Sequence, residues 1–203
     1  MTPRAALDRG LGEMAVDLPA GARERLLEYV ALLVKWNRTY NLTAIREPLA
    51  MVPHHLLDSL SVLRELELAQ QARIADVGSG AGLPGIPLAL ARPGWQVTLV
   101  ESTQKKAAFL RQAVIELALK NVSVHEGRVE SWRPQPLFDL VISRAFAALS
   151  EFIAACRHLV APTGTLAAMK GAQPKDLQAN CRLIRLHVPF LEAQRHLVLC
   201  PAS

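Results

Sequence analysis

The chain has 203 residues, 51% of them hydrophobic and 20% charged, a composition that builds a core and excludes a largely disordered protein. Its net charge of +5 is unevenly divided: residues 1–70 carry 8 Lys and Arg against 9 Asp and Glu, and residues 71–203 carry 15 against 9. That dispersed basic excess suits a polyanionic partner, nucleic acid above all.

The first seventy residues read as a helical extension. Leu26, Tyr29, Val30 and Leu33 recur at helical spacing with charged residues between them, which predicts one helix; Leu56, Leu60, Leu63 and Leu66, with Pro53 near the start, predict a second over about 51–66. Between them lies the polar, turn-prone segment 37–43. From residue 71 the texture changes. Short β-rich runs at 74–77, 97–100, 122–124, 140–142 and 166–169 alternate with helical stretches at 83–91, 104–119 and 146–160, the order of a parallel sheet covered on both faces. Runs at 183–188 and 196–200 lie a hairpin's length apart, so the last strand is expected to be antiparallel. The reading divides the chain into a helical extension, 1–70, over the substrate side and an α/β unit, 71–203.

Apolar runs such as 29–34 fall well short of the ~18 residues of a membrane span, and no signal-peptide core follows Met1. Cys156, Cys181 and Cys200 contain no Cys-x-x-Cys pair; they are expected to form neither a disulfide framework nor a zinc site, which fits a reducing cytoplasm. The histidines show no ligand spacing, so no metal is expected. His55, Asp58 and Ser59 are too close on one helix to act as a hydrolase triad.

The strongest local feature is the segment from Asp76 to Gly85, with Gly78, Gly80, Gly82 and Gly85 at the turn from the first strand into a helix. Such glycines let the backbone approach a ligand at the carboxyl end of the sheet. Gly80-x-Gly82-x-x-Gly85 matches a dinucleotide fingerprint by letter, with Glu101 near the ribose-binding position. Asp76, however, would repel a pyrophosphate and attract the sulfonium of S-adenosyl-L-methionine, and Glu101 would accept hydrogen bonds from a ribose in either case. The two acids favour the sulfonium; a dinucleotide, or a turn that only packs, stays open. Arg128-Val129-Glu130, Ser143-Arg144 and Lys170-Gly171 follow later strands, where side chains of this fold face a ligand.

Together these elements resemble one family. Trp36-Asn37, Asn41-Leu42-Thr43, His55-Leu56-Leu57-Asp58-Ser59, the Asp76 to Gly85 loop, Glu101, Lys105-Lys106, Arg128-Val129-Glu130, Ser143-Arg144-Ala145 and Lys170-Gly171 are similar, in that order, to the bacterial small-subunit ribosomal RNA methyltransferase G family, also called glucose-inhibited division protein B. The resemblance implies a class I, Rossmann-like S-adenosylmethionine-dependent methyltransferase fold, with a mostly parallel seven-stranded sheet and an antiparallel last strand. It implies methyl transfer to N7 of guanine 527 in 16S ribosomal RNA by a cytoplasmic monomer whose partner is that RNA or the small subunit. Gly78, Leu83, Val129, Glu130 and Arg144 would contact the cofactor, joined by Asp76, Gly80, Gly82 and Glu101 from the residue reading. Asn41, His55, Lys105 and Lys170 would face RNA. Guanine N7 has a lone pair and no proton, so Arg144 and Lys170 are expected to orient groups, with no general base. An NAD-dependent oxidoreductase and a non-enzymatic RNA-binding assembly factor are the competing readings.

Overall fold

The computed structural model describes residues 1–144 and 146–202. Helix α1 (Pro3–Met14) precedes the two expected helices; Thr2 caps it by accepting the Ala5 N–H, Pro3 opens its first turn, and Ala6, Leu7, Leu11 and Met14 are buried. Helix α2 (Ala22–Tyr40) ends at Asn41, whose left-handed backbone (φ 48°) lets its N–H bond the Asn37 carbonyl. The second expected helix changes pitch along its length. It runs from α3 (Pro48–Met51) through a π-helical turn (Val52–Leu57) and α4 (Asp58–Leu60) to a 3-10 turn (Ser61–Arg64). Pro53, which has no N–H to donate, sits inside the widened turn.

Seven strands follow: β1 (Arg73–Val77), β2 (Gln96–Glu101), β3 (Val122–Glu126), β4 (Phe138–Ser143), β5 (Val160–Lys170), β6 (Arg182–Leu186) and β7 (Arg195–Pro201). Their order is β3-β2-β1-β4-β5-β7-β6. The first five pair in parallel, while β7 lies between β5 and β6 and is antiparallel to both, as expected of the last strand. Successive residues of β1 point to opposite faces. Ile74 packs with α1, α2, the 48–64 run, α5 (Gly85–Ala91) and α6 (Gln104–Glu116); Ala75 and Val77 pack with α7 (Leu149–Cys156). The N-terminal helices thus share one core with a face of the sheet. β5 is longer than its apolar pattern because its first half includes exposed Pro162 and Thr163.

One expectation is corrected. Cys181 and Cys200 form a disulfide with Cα atoms 4.3 Å apart. The β6–β7 register, which pairs Arg182 with Leu199, brings them together, a proximity that 19 residues of sequence separation conceal. Cys156 is free and buried, and burial pushes its thiol up to about 12. No helix among the described residues is long and apolar enough to cross a membrane.

Candidate active site

The chain steps outward from β1 to β2 and β3, then returns to β4 on the other side of β1, so a crevice opens at the carboxyl ends of β1 and β4. The loop after β1 reaches it through Gly78, Gly80 and Gly82, whose φ angles of 71°, 58° and 90° lie where side chains are disfavoured. Six N–H groups of the loop are bonded within the protein. Gly78 and Ser79 donate to the Val100 carbonyl, Gly82 and Leu83 to the Ser79 carbonyl, Gly80 to Glu101 Oε2 (2.9 Å) and Gly85 to Asp76 Oδ2 (2.9 Å). Glu101 also accepts from Thr103 N (2.8 Å). From the other side, the buried Tyr29 hydroxyl of α2 donates to the Ala81 carbonyl, so the extension helps to hold the loop.

Asp76 is fully buried, and its Oδ1 has no partner among the described residues. Burial raises its carboxyl from 3.8 to about 7, against the lowering effect of the Gly85 N–H. Between these values only the folded protein holds the proton; above about pH 7 both states have lost it, and the folded state carries the full cost of a buried charge. The stability contributed by this group therefore falls as pH rises through this window, by on the order of 4 kcal/mol. Asp76→Asn removes this titration alone. The melting temperature of the native protein relative to that variant is expected to drop by several degrees between pH 5 and pH 8; a constant difference would show that the carboxyl titrates normally.

Beside the loop lies a cavity of about 210 Å³, with Val77, Gly78, Ser102, Val129, Glu130 and Phe146 in its wall. Val129 is buried and Glu130 exposed, the latter 3.8 Å from Arg128. A second cavity, about 320 Å³, opens between the 48–64 run and the ends of β4, β5 and β7. There the buried Asp58 accepts from Arg144 Nη1 (2.9 Å) through one oxygen and from Arg195 Nε (3.0 Å) through the other. Arg144 also donates to the His54 carbonyl. His55 is buried beside them, its Nε2 2.9 Å from the Thr43 hydroxyl. Burial and then the charge of Arg144 bring it down to about 4, so it is neutral at pH 7. Lys170 donates to the Phe146 and Ala147 carbonyls, and burial holds its ammonium below the usual lysine range. A third hollow, about 790 Å³, shares Arg144 and Lys170 with the second and Phe146 with the first.

The structure thus gathers Gly78, Val129 and Glu130 at the first cavity and Arg144, His55 and Lys170 at the second. It does not bring the remaining sequence candidates to either wall. Asp76, Gly80, Gly82, Leu83 and Glu101 form and support the loop, with Asp76 Oδ2 anchoring the Gly85 N–H. Arg144 lines the second and third cavities, where its guanidinium is bonded to Asp58. Asn41 is an exposed helix cap, and Lys105 is exposed at the start of α6. Ala145, part of the Ser-Arg-Ala motif, lies outside the described residues. Ser102 and Arg195 escaped the sequence reading, while Phe146 ends the Ser143-Arg144-Ala145-Phe146 stretch that it singled out. Only the position of Ser102, directly after Glu101, carried a signal.

The family described as rRNA small subunit methyltransferase G matches residues 22–198. Proteins named ribosomal RNA small subunit methyltransferase G from Burkholderia vietnamiensis and Methylobacillus flagellatus are 51% and 49% identical to this chain. The matches cover 93% and 97% of it and 88% and 97% of the relatives. Among solved structures, a SAM dependent methyltransferase from Aquifex aeolicus is similar with a TM-score of 0.53 at 19% identity, over 74% of this chain and 91% of that one, a likeness of fold.

Proposed function

The chain belongs to the rRNA small subunit methyltransferase G family, and from that premise we propose that it transfers a methyl group from S-adenosyl-L-methionine to N7 of guanine 527 in 16S ribosomal RNA. The observation that carries the choice of cofactor is the bonding of the glycine loop. A pyrophosphate needs free N–H donors at such a turn. Here six of those donors are taken by protein acceptors, two of them by the carboxylates of Asp76 and Glu101. The residues fit a cationic nucleoside instead. The main chain at Gly78 admits close approach, Val129 offers an apolar wall, and Glu130 puts a carboxylate at the rim. When bound, the cofactor supplies an electrophilic methyl group on a sulfonium.

The chain's own residues suit a nucleophile that needs no deprotonation. Lys170 is committed to two carbonyls and His55 to Thr43, while Asp58 is held by two arginines. Guanine N7 presents a lone pair, so alignment of base and donor is the main task, with the entropy of encounter removed in advance. N7 faces the deep groove of A-form RNA, which side chains do not read, so the target is an unpaired or splayed base.

The test uses small-subunit RNA from cells lacking this methylation, incubated with the protein and labelled S-adenosylmethionine, then digested and mapped. A single N7-methylguanosine at position 527 is expected. Label on an exocyclic amine or at another base would overturn the assignment, and RNA binding with no incorporated label would favour an assembly factor.

A further inference from the structure

The first and second cavities differ in charge. The smaller holds one cation and one anion, Arg128 and Glu130, whereas the larger holds Arg144, Lys170 and Arg195 against the single carboxylate of Asp58. A site with three cations repels a sulfonium and attracts a phosphodiester. Asp58 is 2% exposed, and each of its oxygens takes one guanidinium; the arginine side chains keep 28% and 23% of their surface accessible at the cavity. Arg144 spends Nη1 on Asp58 and the His54 carbonyl, and Arg195 spends Nε on Asp58 and Nη1 on the Gln194 carbonyl, so the Nη2 group of each guanidinium still has N–H donors to present. The three residues come from the 48–64 run, the end of β4 and the start of β7, so this pairing also ties the N-terminal segment to both strands.

We propose that this cavity is a phosphodiester-binding site for the substrate RNA, with Arg195 as a backbone contact beside Arg144 and Asp58 as the positioning residue that aims both guanidiniums. It rests on the reading of the substrate as RNA, but not on which base is methylated. Arg195 brings a residue of β7 into substrate binding, and Asp58 acts through the arginines without touching RNA.

The experiment measures binding of a 16S RNA fragment across a salt series, with S-adenosylmethionine affinity by calorimetry and thermal melting as controls. Arg195→Met is expected to weaken RNA binding about tenfold at moderate salt and to lower the slope of log K against log salt by about 0.7, one phosphate contact. Arg195→Lys, which restores the charge, is expected to restore the slope. The loss in turnover falls on KM for RNA, and cofactor affinity stays within twofold. Asp58→Asn separates positioning from field. It makes the site more positive, so charge alone would tighten RNA binding, whereas loss of aim weakens it about fivefold. Unchanged binding and slope in Arg195→Met overturns the site, and tighter binding in a folded Asp58→Asn overturns the positioning role; if Asp58→Asn does not fold, the Arg195 pair decides. Methylation at a base other than guanine 527 would sink the proposed reaction while leaving these binding results to stand or fall by themselves.

Discussion

Gly78→Asp is expected to lower the affinity for S-adenosylmethionine about 100-fold, about 2.8 kcal/mol, while the protein still melts cooperatively. Gly78 is in the wall of the 210 Å³ cavity at φ 71°. Among side chains, aspartate tolerates that backbone region comparatively well, so the turn is kept and the N–H of residue 78 continues to donate to the Val100 carbonyl. What changes is the space: a carboxymethyl group projects where the nucleoside must approach the main chain. Calorimetric titration beside a melting curve checks both halves of this expectation. Full affinity in a folded variant would place the cofactor elsewhere.

Gly85→Ala is expected to act on the fold. A Cβ at this position would lie 2.3 Å from Leu99 Cδ2 and 2.7 Å from Asp76 Oδ2, both in fully buried side chains. The Asp76 oxygen is also the acceptor of the Gly85 N–H, so the methyl wedges apart the bond that anchors the loop to β1. Overpacking of a tight core together with a weakened buried hydrogen bond costs about 3 kcal/mol. In a domain of this size that lowers the melting temperature by about 6–12 °C. The pair of variants separates two uses of glycine in one loop: Gly78 leaves room for a ligand, and Gly85 leaves room for the protein itself. A Gly85→Ala protein as stable as the native one would mean that Leu99 and Asp76 move aside at little cost.

The alternation of apolar runs made the strand and helix order readable because each element must bury a face, and the burial period is local information. It failed where burial gives no period. Thus the first half of β5 is exposed at Pro162 and Thr163, whereas helix α1 went unread although Ala6, Leu7, Leu11 and Met14 recur at helical spacing. The π-helical turn at Val52–Leu57 follows apolar spacing too coarsely to distinguish it from an α-helix. The motif residues Gly78, Val129, Glu130, His55, Arg144 and Lys170 were named from sequence and do reach the cavities. Asp76 was also singled out; its Oδ2 accepts the Gly85 N–H, and its Oδ1 has no partner among the described residues.

Sequence alone therefore determined the βα order, the glycine turn with its neighbouring acids and the basic bias of the larger part, since each is a property of adjacent residues. The tertiary structure decided which charges meet. Asp58, Arg144 and Arg195 are 86 and 137 residues apart along the chain, and Cys181 finds Cys200 across a strand pair. Electrostatic attraction and hydrogen bonding act over a few ångströms, and only the order of strands in the sheet establishes those distances.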